Sequence, residues 1–506
     1  MSESVPGNTG NVPLPRTFED LKKKYQQFLS KRDVNRSMWV FWETSPTTYH
    51  DPKGLIELST GMPNELFFQI DSINLNLLKS PQDLETTSVE ITKKIPRELP
   101  LARSLQYSEV KGLPPLIDLF KQFARRLNNV PLYGDALWDV LITSGSTDSM
   151  FKIFEVFADE ETTVLVEELT FVPVVSIIQS TGAKVVPTRI NFTDSGRSGL
   201  DADYLENLLS NWETGPYKHL SRPRILYTIP TGQNPTGVTI DEETKAKVYE
   251  LARRFDFLIV EDDPYGYLSL TKYDPENPTY NSYTDNPQFG LQEYISKCLF
   301  KSFLRYDVDG RVIRLETLSK IFAPGIRTAF VIANSFIIER LLNYQEVSNR
   351  QASGLSQQAI YSTITSMGES AGNGDSIDGW LKWIMKLAAL YTERRNVMLH
   401  ALYESKSYRN GYFTVVEPSA GMFICIKINL GQIGIRETVE GMDKILAMFD
   451  KHGVRGVLGY KMAVDREFSR DKLNFFRLTI SFAATPEVLV EAVRRMDVGL
   501  LEYFSQ

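Results

Sequence analysis

The stretch Thr317-Leu318-Ser319-Lys320-Ile321-Phe322-Ala323-Pro324-Gly325-Ile326-Arg327 gathers a lysine, two hydroxyls and a guanidinium. Before it, Val312-Ile313-Arg314-Leu315-Glu316-Thr317 alternates apolar and polar residues, the pattern of a half-buried strand, and Pro324-Gly325 ends any regular element. Lys320 is therefore expected at a strand end. A lysine shielded from water has its ammonium form disfavoured, and the neutral amine can attack an aldehyde. Thr317, Ser319 and Arg327 offer hydroxyl and guanidinium donors to a phosphate, which binds charge-assisted donors more strongly than neutral ones. The combination suits a small molecule bearing both an aldehyde and a phosphate. Taken alone, a Ser-Lys pair is more often a solvated loop, so the reading depends on partners elsewhere in the chain.

The elements that must hold such partners are legible in outline. With 506 residues the chain exceeds one hydrophobic core, and two or more structural units are expected. Hydrophobic residues at 42%, charged residues at 24% and a formal net charge of −7 describe a globular enzyme with no basic footprint for nucleic acid or membrane. The only cysteines, Cys298 and Cys425, and the scattered His50, His219, His400 and His452 support neither a disulfide framework nor a zinc site, which fits a reducing compartment. Met1 to Pro15 reads as a polar tail without a signal-peptide pattern. No apolar window approaches a membrane span, and the final Tyr503-Phe504-Ser505-Gln506 is no retention or peroxisomal signal, so the expected location is cytoplasmic.

Phe18, Leu21, Tyr25 and Phe28 recur at helical spacing and predict a short amphipathic helix that packs on another element or subunit. Leu55 to Leu58 reads as a strand, Gly61-Met62-Pro63 as a turn able to approach a ligand closely, and Lys79 to Arg97 as polar and irregular. Beyond Leu99, helical patterns such as Leu113 to Leu127 and Asp148 to Phe157 alternate with apolar runs. The runs are Val140 to Ile142, Val164 to Val166, Lys184 to Val186, Ile225 to Tyr227, Phe257 to Val260 and Val312 to Leu315. This alternation predicts an α/β unit with a mostly parallel central sheet whose ligands bind at strand C-terminal ends. Ser269 to Gly310, rich in Tyr, Asn and Pro, reads as an insertion. Gln357 to Ser366 and Trp380 to Glu404 read as helices, the second long enough to bridge two domains. Strands Phe413 to Val416, Met422 to Ile428 and Phe475 to Ile480, with a helix from Pro486 to Phe504, predict a smaller α+β unit. The expected division is residues 1–98 as tail and arm contributing to the small domain and dimer contacts, 99–340 as the large domain, and 341–506 as linking helix and small domain.

Four further motifs end strands of the large unit. Thr143-Ser144-Gly145-Ser146-Thr147 precedes a helix, so its N–H groups and hydroxyls can receive a phosphate; it serves equally well as a helix cap. Pro230-Thr231-Gly232-Gln233-Asn234-Pro235-Thr236-Gly237 fixes a backbone that can project the Asn234 amide toward a phenolate oxygen. Val260-Glu261-Asp262-Asp263-Pro264-Tyr265 sets carboxylates directly after apolar residues. An anionic Asp262 could keep a pyridine nitrogen protonated while Tyr265 donates to the ring's oxygen, although Asp262 could also be a buried cap. Glu167-Glu168-Leu169-Thr170-Phe171 offers Phe171 as a flat surface for a ring, or simply as core. The ring, aldehyde and phosphate so assembled are those of pyridoxal 5'-phosphate.

In this order the motifs resemble the fold-type I, class I pyridoxal-phosphate-dependent aminotransferases. Leu226 to Gly237, Asp256 to Tyr267 and Arg311 to Arg327 are similar to the fungal aromatic-amino-acid aminotransferases of type II, broad specificity, with kynurenine and 2-aminoadipate aminotransferases as more distant relatives. The resemblance implies that Lys320 bonds the cofactor and acts as base, and that Asp262 partners the ring nitrogen. It sets Asn234 and Tyr265 at the ring oxygen, and Ser146, Thr147, Thr317, Ser319 and Arg327 around the phosphate. It implies that Arg477, in Phe476-Arg477-Leu478, grips the substrate's α-carboxylate, with Gly61 and Asn234 beside the substrate. It implies too that Tyr107, in Leu105-Gln106-Tyr107, reaches the phosphate of the neighbouring subunit in a homodimer with shared sites. The chain departs from the pattern at four points, one of them the long spacing from Asp262 to Lys320 across the insertion at Ser269 to Gly310. Arg327 follows the lysine one residue sooner than in aspartate aminotransferases, Phe171 stands where tyrosine is frequent, and Leu458-Gly459-Tyr460 replaces a Pro-Gly-aromatic turn. The expected activity is transfer of the amino group between aromatic amino acids and 2-oxo acids such as 2-oxoglutarate or phenylpyruvate. The rivals are a 2-aminoadipate or kynurenine aminotransferase, a carbon–sulfur lyase, and a non-catalytic ligand sensor. The sensor needs a basic DNA-binding domain for which residues 1–98 offer no helix-turn-helix pattern.

Overall fold

Apolar runs separated by helices can bury both faces only in a sheet that is covered on each side. The computed structural model describes residues 14–38, 58, 61–82, 84–93, 99–128, 130, 133–193, 198–370 and 373–506. An antiparallel hairpin of β1 (Ser72–Leu78) and β2 (Thr86–Thr92) precedes the large unit. The large sheet uses β3 (Trp138–Thr143), β4 (Thr163–Glu167) and β5 (Lys184–Thr188). A short pair, β6 (Ile190–Asn191) and β7 (Gly199–Leu200), intervenes before β8 (Pro223–Thr228), β9 (Leu258–Asp262), β10 (Val312–Thr317) and β11 (Ala329–Asn334) complete it. Its seven strands lie in the order β3-β11-β10-β9-β8-β4-β5. The run from β10 to β5 is parallel, while β11 is antiparallel to both β10 and β3. Two reversals restore direction, so β3 points the same way as β10. The C-terminal ends of β3, β4, β8, β9 and β10 therefore share one edge, and the four lysine-site motifs and the lysine itself all begin there.

The smaller unit is a four-stranded antiparallel sheet in the order β12-β13-β15-β14, from β12 (Phe413–Val416), β13 (Phe423–Ile428), β14 (Val457–Leu458) and β15 (Phe475–Thr479). Helices Ile435–Lys451 and Pro486–Phe504 cover it, and Ser376–Glu404 spans from the large unit to the last of these. The units meet at backbone level: Leu270 N–H donates to Ser419 O and Gly421 N–H to Leu268 O, both at 2.8 Å. The inserted segment packs on the long helix, where Asn281 donates to the Ala389 carbonyl at 2.9 Å and Tyr283 and Tyr294 are buried. Among the described residues no helix is long and apolar enough to cross a membrane, and no cluster of His, Cys, Asp and Glu could hold a metal ion.

Two expectations are corrected. Strand β10 is not half-buried: all six residues are buried, because Arg314 pairs with Glu261 at 2.9 Å, Asp263 at 3.0 Å and Glu316 at 2.7 Å behind the sheet. One guanidinium meets three carboxylates inside the core, with buried Lys245 as a second cation facing Glu261 and Asp263, and removing one partner from such a set costs about 3–5 kcal/mol. Residues 79–97 are not irregular throughout, since β2 occupies Thr86–Thr92 and buries Val89 and Ile91 against Leu101. The helix Phe18–Tyr25 lies on the large unit: Tyr25 donates to the Asp309 carbonyl at 2.6 Å, and Leu21, Tyr25 and Phe28 enter the main core. The expected strand at Leu55 to Leu58 falls almost wholly outside the described residues.

Candidate active site

The phosphate-binding candidates surround the start of the helix Ser146–Phe157. Gly145 caps that helix with φ +94° and supplies no side-chain bond, which leaves first-turn N–H groups at the positive helix end for an anion. A Cβ on Gly145 would stand 2.3 Å from Arg327 Nη2, so the guanidinium lies against the helix start. Arg327 itself is left-handed at φ +48°, anchored by Nη1 to the Pro324 carbonyl at 3.1 Å. Ser146 is half-buried and Thr147 exposed in the first turn. Across from them Thr317 Oγ1 donates to Ser319 Oγ at 3.0 Å and accepts the Ser319 N–H at 3.2 Å, which sets both hydroxyls at the end of β10.

Lys320 follows in the same turn, half-buried. Burial pushes its ammonium below the usual value against the pull of the Asp262 carboxylate, while Arg477 and Arg327 add to the lowering. Asp262 closes β9 with only 5% of its surface exposed, and its Oδ2 accepts the Tyr227 phenol at 2.6 Å. Burial raises its carboxyl to about 6. Asp263 adds to this, and the Tyr227 hydrogen bond and the charges of Lys320 and Arg314 oppose it. Tyr265 is buried beside it, edge-on to Phe423 at 5.6 Å between centroids; burial first and Asp262 second hold its phenol well above the usual range, so it remains a neutral donor.

The loop after β8 is locked from below. Gln233 Nε2 donates to Glu167 Oε2 at 2.9 Å and to the Leu169 carbonyl at 2.6 Å, and Gln233 Oε1 accepts both the N–H and the hydroxyl of Thr236. Gly232, at φ +52°, passes the Ala420 carbonyl so closely that a Cβ would fall 2.7 Å from it. Asn234 Oδ1 then accepts Arg477 Nη1 at 2.6 Å, across the boundary between the units. Arg477 projects from β15 and its guanidinium lies 4.4 Å from the Phe423 ring centroid, a flat fork with edge donors left for a carboxylate. Phe171, two residues past Leu169, is half-buried against the main core.

Lys320, Asp262, Tyr265, Asn234, Arg477, Arg327, Ser146, Thr147, Thr317 and Ser319 thus converge on one strand edge. Two candidates stand apart within one chain. Tyr107 is 57% exposed, its backbone held by Gln106 and Arg103, and Gly61 is exposed, with open space where a Cβ would stand. Reading the residues missed Tyr227, Glu167, Gln233 and Phe423. Each lies in a strand or motif already recognised, but a phenol inside an apolar run carries no mark of the carboxylate it will meet.

The donor set fits pyridoxal phosphate. An uncapped helix start with a guanidinium beside it suits the phosphate, an amine with a lowered affinity for protons suits the aldehyde, and a buried carboxylate whose Oδ1 takes no hydrogen bond among the described residues suits a protonated ring nitrogen. The model of the family described as aminotransferase class I and II matches residues 71–496. Aromatic amino acid aminotransferase 2 of Saccharomyces cerevisiae is 46% identical over 516 residues, covering 98% of this chain and 99% of that protein. The rat mitochondrial kynurenine/alpha-aminoadipate aminotransferase is 30% identical over 411 residues, covering 80% of this chain and 84% of its own length. The crystal structure of an aromatic aminotransferase from C. albicans superposes with a TM-score of 0.86 at 38% identity, covering 95% of this chain and 98% of that one. Motif order, strand-edge geometry and likeness along almost the whole chain agree: the protein belongs to the class I and II aminotransferases and is a transaminase dependent on pyridoxal 5'-phosphate.

Proposed function

We propose that this transaminase moves the amino group between phenylalanine, tyrosine or tryptophan and a 2-oxo acid such as 2-oxoglutarate or phenylpyruvate. The observation that carries the reading is the 2.6 Å contact of Arg477 with Asn234 at the strand edge that also holds Lys320 and Asp262. It sets a carboxylate-binding fork beside a base. The name of the yeast relative at 46% identity supports the aromatic substrate class.

When bound, pyridoxal phosphate supplies an aldehyde for the substrate's amine and a ring that accepts electron density from the α-carbon. The chain's own part is division of labour. Arg477 binds the α-carboxylate through paired N–H donors and so fixes the α-carbon's orientation. Lys320, whose ammonium form burial disfavours, would take the proton from the α-carbon and give it up at the former aldehyde carbon within the same half of the cycle, the second oxo acid using the reverse transfer. Asp262 holds a proton at the ring nitrogen, Asn234 and Tyr265 donate to the ring oxygen, and Phe171 covers one ring face. Ser146, Thr147, Thr317, Ser319 and Arg327 hold the phosphate, and Tyr107 serves the site of a second copy in a homodimer. Gly61 lies on the arm, beside the substrate. The two cysteines remain thiols, Cys425 buried, which suits the cytoplasm.

A visible absorption band that phenylalanine removes and an oxo acid restores is the expected result for the purified protein. Profiling then ranks substrates: phenylalanine, tyrosine and tryptophan are expected to exceed kynurenine and 2-aminoadipate in kcat/KM. The reverse order would replace the aromatic reading with the activity named for the rat relative.

A further inference from the structure

Tyr227 stands in the middle of the large sheet with no exposed surface, its ring 6.4 Å from that of Phe154 in the helix Ser146–Phe157. Its phenol donates to Asp262 Oδ2 at 2.6 Å. Burial, and then the Asp262 charge, hold the phenol far above its usual range, so it is always protonated and always a donor. The other charged or titratable groups that face Asp262 are Asp263 and Glu167, of like sign, Lys320 and Arg314, of opposite sign, and the neutral phenol of Tyr265. Among the described residues Tyr227 alone hydrogen-bonds the carboxylate. A buried carboxylate oxygen deprived of its donor either rotates to find another or takes up a proton, and each response spoils it as an acceptor for a ring N–H.

We propose that Tyr227 is a positioning residue for the cofactor's ring, fixing the plane of the Asp262 carboxylate through Oδ2 so that ionised Oδ1 meets the ring nitrogen. The inference rests on the reading of Asp262 given above. It departs from a packing role for Tyr227, since the ring alone would fill the same space. The phenol also opposes the burial that raises Asp262, so without it the carboxylate takes up its proton at higher pH.

The test is titration of cofactor-free protein with pyridoxal phosphate, followed by quenching of protein fluorescence, for wild type, Tyr227→Phe, Asp262→Asn and the double variant. The ratio of variant to wild-type Kd at each pH cancels the cofactor's own ionisations. Tyr227→Phe is expected to weaken binding about tenfold near neutral pH, with the deficit growing toward lower pH and shrinking above about pH 8. In the Asp262→Asn background the same change is expected to alter Kd by less than about twofold, because the acceptor it serves is gone. Wild-type affinity for Tyr227→Phe at every pH, or an equal loss in both backgrounds, overturns the inference. If Asp262→Asn itself binds and turns over like wild type, the reading of Asp262 falls first; if Asp262→Asn is impaired and Tyr227→Phe is not, only the inference falls. Both substitutions nearly preserve volume, and failure of Tyr227→Phe to fold, seen by circular dichroism, would assign Tyr227 a structural role instead.

Discussion

At the scale of single residues, the site combines groups whose ordinary chemistry is altered by burial. Lys320→Ala removes anchor and base together while leaving the phosphate cup intact. Turnover is expected to fall at least about a thousandfold with the protein still folded and still retaining pyridoxal phosphate after gel filtration. Near-normal transamination by this variant would remove Lys320 from the mechanism. Glu167 offers a titration that can be read apart from catalysis. It is wholly buried, and burial raises its carboxyl to about 7 despite hydrogen bonds from Thr228, Gln233 and the Ile229 N–H. Its folded value lies above its unfolded one, so the protonated form stabilises the fold and that contribution fades as pH rises through about 7. Glu167→Gln cannot titrate. Between about pH 5 and pH 8 the melting temperature of the variant is expected to gain on that of wild type, by the equivalent of at most about 3 kcal/mol. A constant difference across that range would mean that Glu167 does not titrate there. The candidate site residues were legible because Asn-Pro-Thr-Gly, Asp-x-x-Tyr and Ser-Lys each follow an expected strand and occur together in one order along the chain. Glu167 and Gln233 stood inside recognised motifs, but their mutual hydrogen bond joins the end of β4 to the loop after β8 and leaves no trace in local spacing.

At the scale of elements, the strand edge is what turns separate motifs into a site. The parallel runs were visible from their apolar composition and turn boundaries, and the helices from period. Strand β11 was missed because Ala329 to Asn334 follows the lysine turn so closely that it reads as its continuation, and yet by running antiparallel between them it sets β3, with the candidate phosphate-binding helix start, one strand from the lysine strand and pointing the same way. The hairpin was missed although Ile73, Leu75 and Leu77 alternate with polar residues, because asparagines in a strand argue against it. One element-level contact can be tested directly. Gly145→Ala sets a methyl group 2.3 Å from Arg327 Nη2 and forces a side chain into a positive φ. The guanidinium must withdraw from the helix start, so pyridoxal phosphate is expected to dissociate about ten times more readily while kcat at saturating cofactor changes little. Unchanged affinity would show that the helix start does not bind the phosphate.

At the scale of the molecule, the role proposed for Tyr107 is in a site completed by a second chain. The Tyr107 backbone is fixed by Arg103 and Gln106 next to the helix Leu101–Leu105, while its side chain stays 57% exposed. An exposed phenol on a fixed backbone is available to a neighbouring chain, and the proposed closed two-fold dimer would contain two equivalent shared sites. Lys320→Ala removes the base, and Tyr107→Ala loosens the phosphate and lowers activity when pyridoxal phosphate is limiting. Each homodimer is therefore defective at both sites. In a mixed dimer one site receives the altered lysine of one chain and the altered tyrosine of the other, and the second site receives both intact residues. Co-refolding the two variants and isolating the heterodimer by differential tags should restore up to one wild-type site per dimer, above the activity of either variant under the same limiting cofactor. Tyr107 serving its own chain's site predicts no such recovery, because every site would then carry one of the two lesions.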